Sequence, residues 1–348
     1  MFSIWRQAAT AASTALALLT ASASTNAASG PTPEEWRDAR AAAAALADEL
    51  ARLCPVAAPG NQSAFDSCRK GLYNDSAFRD KLNPIVLWGR QRIANATLAA
   101  TSLTQFAPDV LTGMYLPLFM FNGKHTVAYI EGEGLFQIRL ATAFRNRLAP
   151  GQFPYPFWHD AEKWATYQGA NEVILWWDPA PGRVKVAQFT AMGAQPPIAI
   201  SEPVAAPKFD GRWMWSDAQG NSQPKVTLFD GLFSSDNPYL VKLEASYKVL
   251  ALRLREGQCD SCHVPNNPDK SKRLVLLQTP VHAAGEIQRL LKAVRDDRMP
   301  RDEFGIENPL DAKTKKALLE DGEAFAQAVE AAKRWEAQAR EHTLANSQ

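Results

Sequence analysis

Cys259-Asp260-Ser261-Cys262-His263 decides how the C-terminal part of this chain is read. Two cysteines separated by two residues and followed directly by a histidine form the attachment pattern of a c-type haem. The spacing has a chemical cause. Two thiols add to the two vinyl groups of a porphyrin, and the short link sets the distance between the anchors. The next imidazole then lies over the iron as its proximal ligand. A thioredoxin-like redox pair would stand after a strand in a βαβ unit, whereas this pair follows a helical pattern. Half of a zinc site would need a second Cys-x-x-Cys or a His-x-His partner at a suitable spacing, and none follows. The reading predicts one covalently attached haem c on Cys259, Cys262 and His263.

Working outward, three amphipathic helical patterns surround the motif. Asn237-Pro238 starts the first, with an N-cap followed by Pro at the first helical position. Leu240, Leu243, Tyr247, Leu250 and Leu254 recur at helical spacing, Glu244 and Lys248 form an i,i+4 pair, and Gly257 is placed to end the helix just before Cys259. Thr279-Pro280 starts the second, which carries Ile287, Leu290, Leu291 and Val294. The third starts near Asp311 and carries Leu318, Phe325, Val329 and Trp335, with Gly322 permitting a close crossing.

This section, roughly Asn237 to Arg340, resembles a small class I-like monohaem cytochrome c domain. The resemblance rests on a helix leading into Cys-x-x-Cys-His, a second helix, Met299-Pro300 in a loop, and a long terminal helix with aromatic residues. It implies an all-α domain in which the first and last helices pack together. Val264-Pro265-Asn266-Asn267-Pro268 departs from the Gly-rich loop common after the motif. The distal ligand decides what such a haem does. The resemblance points to Met299, whose thioether would raise the reduction potential and fill the sixth position. His282 is the rival ligand, and an open site is the third arrangement. Arg295, Arg298 and Arg301 flank Met299, but Asp296, Asp297, Asp302 and Glu303 are interleaved, which reads as a solvated mixed-charge loop rather than a basic docking rim.

The N-terminus reads as an export signal over residues 1–28. Arg6 supplies the positive start, an Ala-, Leu- and Thr-rich run follows from Ala8 to Ala21, and Ala21-Ser22-Ala23 or Ala27-Ala28 offers the cleavage site. The run is short of the about 20 strongly apolar residues of a membrane anchor. A periplasmic protein with no membrane span in its mature chain is expected. Of the four cysteines, Cys54 and Cys68 remain after the haem takes its pair, and in an oxidising compartment they are expected to form a disulfide.

Between signal and haem section, residues 29–236 read as an α+β domain with antiparallel hairpins. Thr32-Pro33-Glu34-Glu35 starts a helix that ends near Cys54-Pro55, with Leu46, Leu50 and Leu53 on one side. A second helix is expected from Ser76 through Lys81, after the disulfide loop. Tyr115–Phe121 and Thr126–Ile130 around Asn122-Gly123 read as a hairpin with a type I′ turn. Leu135–Leu148 reads as helix. Glu172–Trp177 and Val184–Phe189 read as a second hairpin, and Trp213–Trp215 with Val226–Phe229 as a third. The domain boundary is placed between Asp230 and Asn237.

His159, in the aromatic run Phe153 to Asp160, is a candidate metal ligand, second haem contact or proton carrier, with His125, Glu131 and Glu133 as companions, but no diagnostic metal spacing joins them, and aromatic packing with His159 bonded to a backbone group is the favoured reading. No Gly-rich phosphate loop or serine nucleophile elbow is present, so no catalytic residue is assigned. The formal net charge of +1 shows no like-charge block and gives no reason to expect a nucleic acid partner. The expectation is an exported monohaem cytochrome carrying single electrons to or from a redox partner protein, its first domain serving docking or complex assembly. The rival is a haem sensor or haem enzyme with an open distal site, in which the stretch from His159 to Phe189 forms part of a PAS-like ligand pocket. A third reading makes the haem a structural plug in a binding protein.

Overall fold

The computed structural model describes residues 30–345 apart from 59, 75, 95, 102, 146–165, 199–228, 230, 264–279 and 303. The export signal, His159 and the third expected hairpin (Phe229 aside) fall outside the described residues.

Helix α1 (Pro33–Leu53) begins as its sequence predicts. Thr32 caps it, with Glu35 N–H donating to the Thr32 hydroxyl and the Glu35 carboxylate accepting from Thr32 N–H, the reciprocal box that satisfies two donors at once. Cys54 closes the helix and is disulfide-bonded to Cys68. The segment between them is not a plain loop, because Asn61 caps a further helix, α2 (Gln62–Asn74), by accepting from Ala64 N–H. Ser76 caps the short α3 (Ala77–Asp80).

Six strands follow: β1 (Leu82–Arg90), β2 (Leu103–Phe106), β3 (Phe119–Ile130), β4 (Leu135–Phe144), β5 (Glu172–Asp178) and β6 (Arg183–Thr190). They form one sheet in the order β2-β1-β6-β5-β4-β3. The expected hairpin of β5 and β6 is present, with Trp176 opposite Val186. Three expectations are corrected. The sheet is mixed rather than antiparallel, because β1 runs parallel to β6. Asn122-Gly123 does not turn the chain: it lies within β3, where the register with β4 shifts between Phe121 and His125, and Gly123 takes φ of 80°. Such a pair supplies a bulge as readily as a turn, because both need positive φ. Finally, in the stretch expected as helix from Leu135 to Leu148, Leu135–Phe144 is strand β4, with both of its faces covered, and residues 146–148 lie outside the described residues. A strand buried on both sides loses the alternation that distinguishes it from a helix.

Between β2 and β3 the chain winds through α4 (Pro108–Val110), one π turn (Leu111–Tyr115) and a 3-10 turn (Leu116–Leu118). After the sheet the described elements are helical: α5 (Leu240–Glu256), a 3-10 turn (Cys259–Ser261), α6 (Pro280–Arg295) and α7 (Ala312–Ala345). Helix α5 starts past Asn237, whose side chain accepts from Tyr239 N–H and donates to Ala332 and Glu336 of α7. Gly322 meets α6 as its sequence position suggests, since a Cβ there would lie 2.8 Å from Leu291 Cδ2.

One hydrophobic core runs from Leu46 and Leu50 of α1 over Ile138, Leu140 and Val173 of the sheet to Ile287 of α6 and Phe325 of α7. The helices after residue 237 therefore bury apolar surface against the sheet section as well as against each other. A smaller cluster of Leu135, Ile174, Trp176 and Val186 covers the opposite sheet face.

Candidate functional site

The end of α5 is built to present the cysteines. Gly257 N–H donates to Arg253 C=O at 2.9 Å and closes the helix. Gln258 then takes a left-handed conformation, φ 57°, a region that non-glycine residues seldom occupy and that clusters at functional sites. That single residue reverses the chain into the 3-10 turn. Ser261 N–H and Oγ both donate to Gln258 C=O, and His263 N–H donates to Cys259 C=O at 3.0 Å. Arg253 ties the helix end to α7 through Asp321 at 2.7 Å and holds Glu256 at 2.6 Å.

Cys259, Cys262 and His263 line one wall of a cavity of about 740 Å³. Val294 at the end of α6, Met299 and Pro300 in the following loop, and Leu310 and Thr314 at the start of α7 line it too. The structure thus brings Met299, more than thirty residues away in sequence, to the same cavity as the cysteine motif. The volume suits a cofactor-sized ligand, and the lining mixes apolar side chains with polar ones that include the carboxylates of Glu256 and Asp311. The donor set is two thiols, one imidazole and one thioether, with Arg301 and Asn308 at the polar margin. That chemistry fits a porphyrin iron: thiols for covalent anchoring, two soft or borderline axial donors, and a guanidinium and an amide that suit carboxylates.

The loop that carries Met299 is strapped at several points. Arg298 N–H donates to Ala293 C=O at 2.9 Å and Asp297 N–H to Val294 C=O at 3.3 Å, the two bonds of a Schellman motif with Asp297 left-handed at φ 56°. Asn308 N–H donates to Pro300 C=O, and the Asp302 carboxylate accepts from the N–H groups of Phe304 and Ile306. The flanking arginines do not form a basic rim: Arg295 pairs with Glu323 at 3.1 Å and Arg301 with Glu307 at 3.7 Å.

His282 lies elsewhere. It is 1% exposed in the first turns of α6, with its ring 5.7 Å from that of Phe106 and 6.4 Å from that of Tyr115. Burial pulls its pKa down to about 3. It is not part of the cavity lining. His125 lies mid-way along β3 opposite Leu140, whereas Glu131 and Glu133 lie in the turn after that strand, and Glu133 accepts from Leu98 N–H at 2.7 Å. No group of three or more metal-binding side chains occurs among the described residues.

Comparisons with family models, curated proteins and solved structures found no match.

The sequence reading missed the seam where α6 and α7 meet the sheet section. Asp109 of α4 pairs with both Arg79 of α3 and Lys333 of α7. Glu286 of α6 is buried, accepts from Ala107 N–H and pairs with Arg289 at 2.7 Å. Glu336 accepts from Lys70 at 2.8 Å and from Ser234. Apart from the Glu286–Arg289 pair within α6, each partner is distant in sequence, so no local pattern marks these residues. No helix among the described residues is long and apolar enough to cross a membrane.

Proposed function

We propose that this chain is an exported, periplasmic monohaem c-type cytochrome that carries single electrons to or from a redox partner protein. The observation that carries the reading is the cavity shared by Cys259, Cys262, His263 and Met299. When bound, the haem supplies an Fe(III)/Fe(II) couple. The chain's own residues do the rest. Cys259 and Cys262 anchor the group covalently from the turn after α5. His263 and Met299 would be the donors that hold the iron, and the same pair would serve both oxidation states. Val294, Leu310 and Pro300 would offer apolar contact to the porphyrin, and a thioether ligand would raise the potential. Arg301 and Asn308 receive the propionates.

A second reading has one observation in its favour. Helix α6 packs His282 and Glu286 into the sheet section at one end and leads into the Met299 loop at the other. A change at the distal position would reach the sheet section along that helix, as a haem sensor requires.

The deciding experiment is absorption spectroscopy of protein matured in a bacterial periplasm, oxidised and reduced, with and without carbon monoxide. A low-spin, six-coordinate spectrum with a sulfur-to-iron charge-transfer band, unchanged by carbon monoxide, is expected. Ready carbon monoxide binding would replace the carrier with the sensor or enzyme reading. Absence of covalent haem would end both.

A further inference from the structure

Among the described residues, two that are not glycine have positive φ: Gln258, which lines the cavity, and Asp297, which lies between the cavity-lining Val294 and Met299. Asp297 is the more telling. It occupies the left-handed position of the Schellman motif that ends α6, a place where glycine carries no Cβ penalty. An aspartate there strains the backbone, and its side chain shows what is gained. Asp297 Oδ1 accepts from Lys315 Nζ at 2.7 Å, and the same ammonium donates to Arg295 C=O, one of the last carbonyls of α6, at 3.1 Å. Lys315 follows Thr314, which lines the cavity in the first turns of α7, and Met299 lies two residues beyond Asp297.

We infer that Asp297 and Lys315 form a clamp that fixes the Met299 loop against α7, making both of them positioning residues for the distal ligand. The inference rests on the reading of Met299 as that ligand. Met299 itself is 39% exposed, so packing alone does not hold it in one place. Its position is set by where the chain leaves α6, and the clamp sets that exit. Lys315 acts on two points of the exit at once, the Arg295 carbonyl and the Asp297 carboxylate. The loop beyond is closed by its own bonds, Asn308 N–H to Pro300 C=O and Asp302 N–H to Ile306 C=O. A shift at Asp297 therefore moves Met299 together with its loop.

The test compares Asp297→Gly, Asp297→Asn and Lys315→Met with wild type, all as holoprotein. Glycine relieves the backbone and removes the clamp, so the two roles separate. With the clamp, Asp297→Gly unfolds at the same denaturant concentration as wild type or a higher one. Its charge-transfer band weakens, and carbon monoxide binds about fivefold faster, the factor that a charge pair of this exposure contributes. Lys315→Met moves the band and the binding rate in the same direction, and Asp297→Asn, which keeps an acceptor and tolerates left-handed φ, restores part of both. A wild-type band and binding rate in Asp297→Gly would overturn the clamp while leaving Met299 as ligand. A wild-type protein without the band would overturn the ligand reading and the clamp with it.

Discussion

The seam between the helices and the sheet, and the rim of the cavity, are both laced with ion pairs, yet the pairs do different things. At the seam each pair has at least one buried partner. Lys333 and Asp109 have side chains 10% and 12% exposed, and Glu336 is 1% exposed against Lys70. At the rim, Arg295 and Glu323 are 54% and 52% exposed. A buried pair is strong because water cannot replace a missing partner, and losing one ion strands the other. An exposed pair exchanges one hydration shell for another and contributes little. The seam therefore fixes how α6 and α7 sit on the sheet section, while rim pairs adjust a loop without determining whether it folds.

Lys333→Met breaks this contrast most sharply. It leaves Asp109 with Arg79 alone and is expected to cost about 3 kcal/mol in denaturant unfolding. A loss below about 1 kcal/mol would place the seam in the same class as the rim.

Protonation of His282 probes the same region. Its folded pKa is depressed by burial to about 3 from 6.5, so the unfolded chain binds the proton first as pH falls. The stabilising effect of neutral His282 is thus full above pH 6.5 and is lost as pH falls toward about 3. Glu286, raised by burial and only partly offset by Arg289 and the Ala107 N–H, acts in the opposite sense, its contribution falling as pH rises above 4.5. The two are separated with His282→Phe. That variant is expected to lose about 2 kcal/mol less stability than wild type between pH 7 and pH 4.5. Parallel pH curves would show that His282 is hydrated in the folded state.

Gly285→Ala tests how closely α6 approaches α4. A Cβ would lie 2.8 Å from Val110 Cγ2 and 3.0 Å from Val110 N, a contact partly with backbone that cannot rotate away. Thermal unfolding should show a loss of about 1–2 kcal/mol. At the rim, Arg295→Ala should change stability by less than about 0.5 kcal/mol, and added salt should erase the change. A larger, salt-resistant loss would mean that the rim is as structural as the seam.

Features legible in the sequence share one property: their signals are local. The Thr32 to Glu35 box, Gly257 at the end of α5, Asp311 accepting from Lys313 and Thr314 N–H, and the β5–β6 hairpin each need only a few neighbouring residues. The cysteine motif is of the same kind, as is the Cys54–Cys68 pairing once export is expected. Where the reading failed, the deciding partner lay far away. Leu135–Phe144 carries apolar residues on both faces because the sheet is covered on both sides, and nothing within ten residues reveals that. Asn122-Gly123 would turn an isolated hairpin, but β3 continues past it along β4, with Phe121 N–H taken by Cys54 C=O. Helix α2 was lost to the assumption that a disulfide closes a loop.

By itself the sequence set two thiols and an imidazole within five residues, the spacing on which the proposal of a haem rests, because so short a motif requires no fold to be read. It also determined most of the helices, whose caps and periodicity are written within one or two turns. Tertiary structure alone decided that β1 lies parallel to β6, that His282 is buried in the seam, and that Met299 shares a cavity with the cysteines. Each of these depends on contacts between residues tens of positions apart, where burial rather than local propensity sets the outcome.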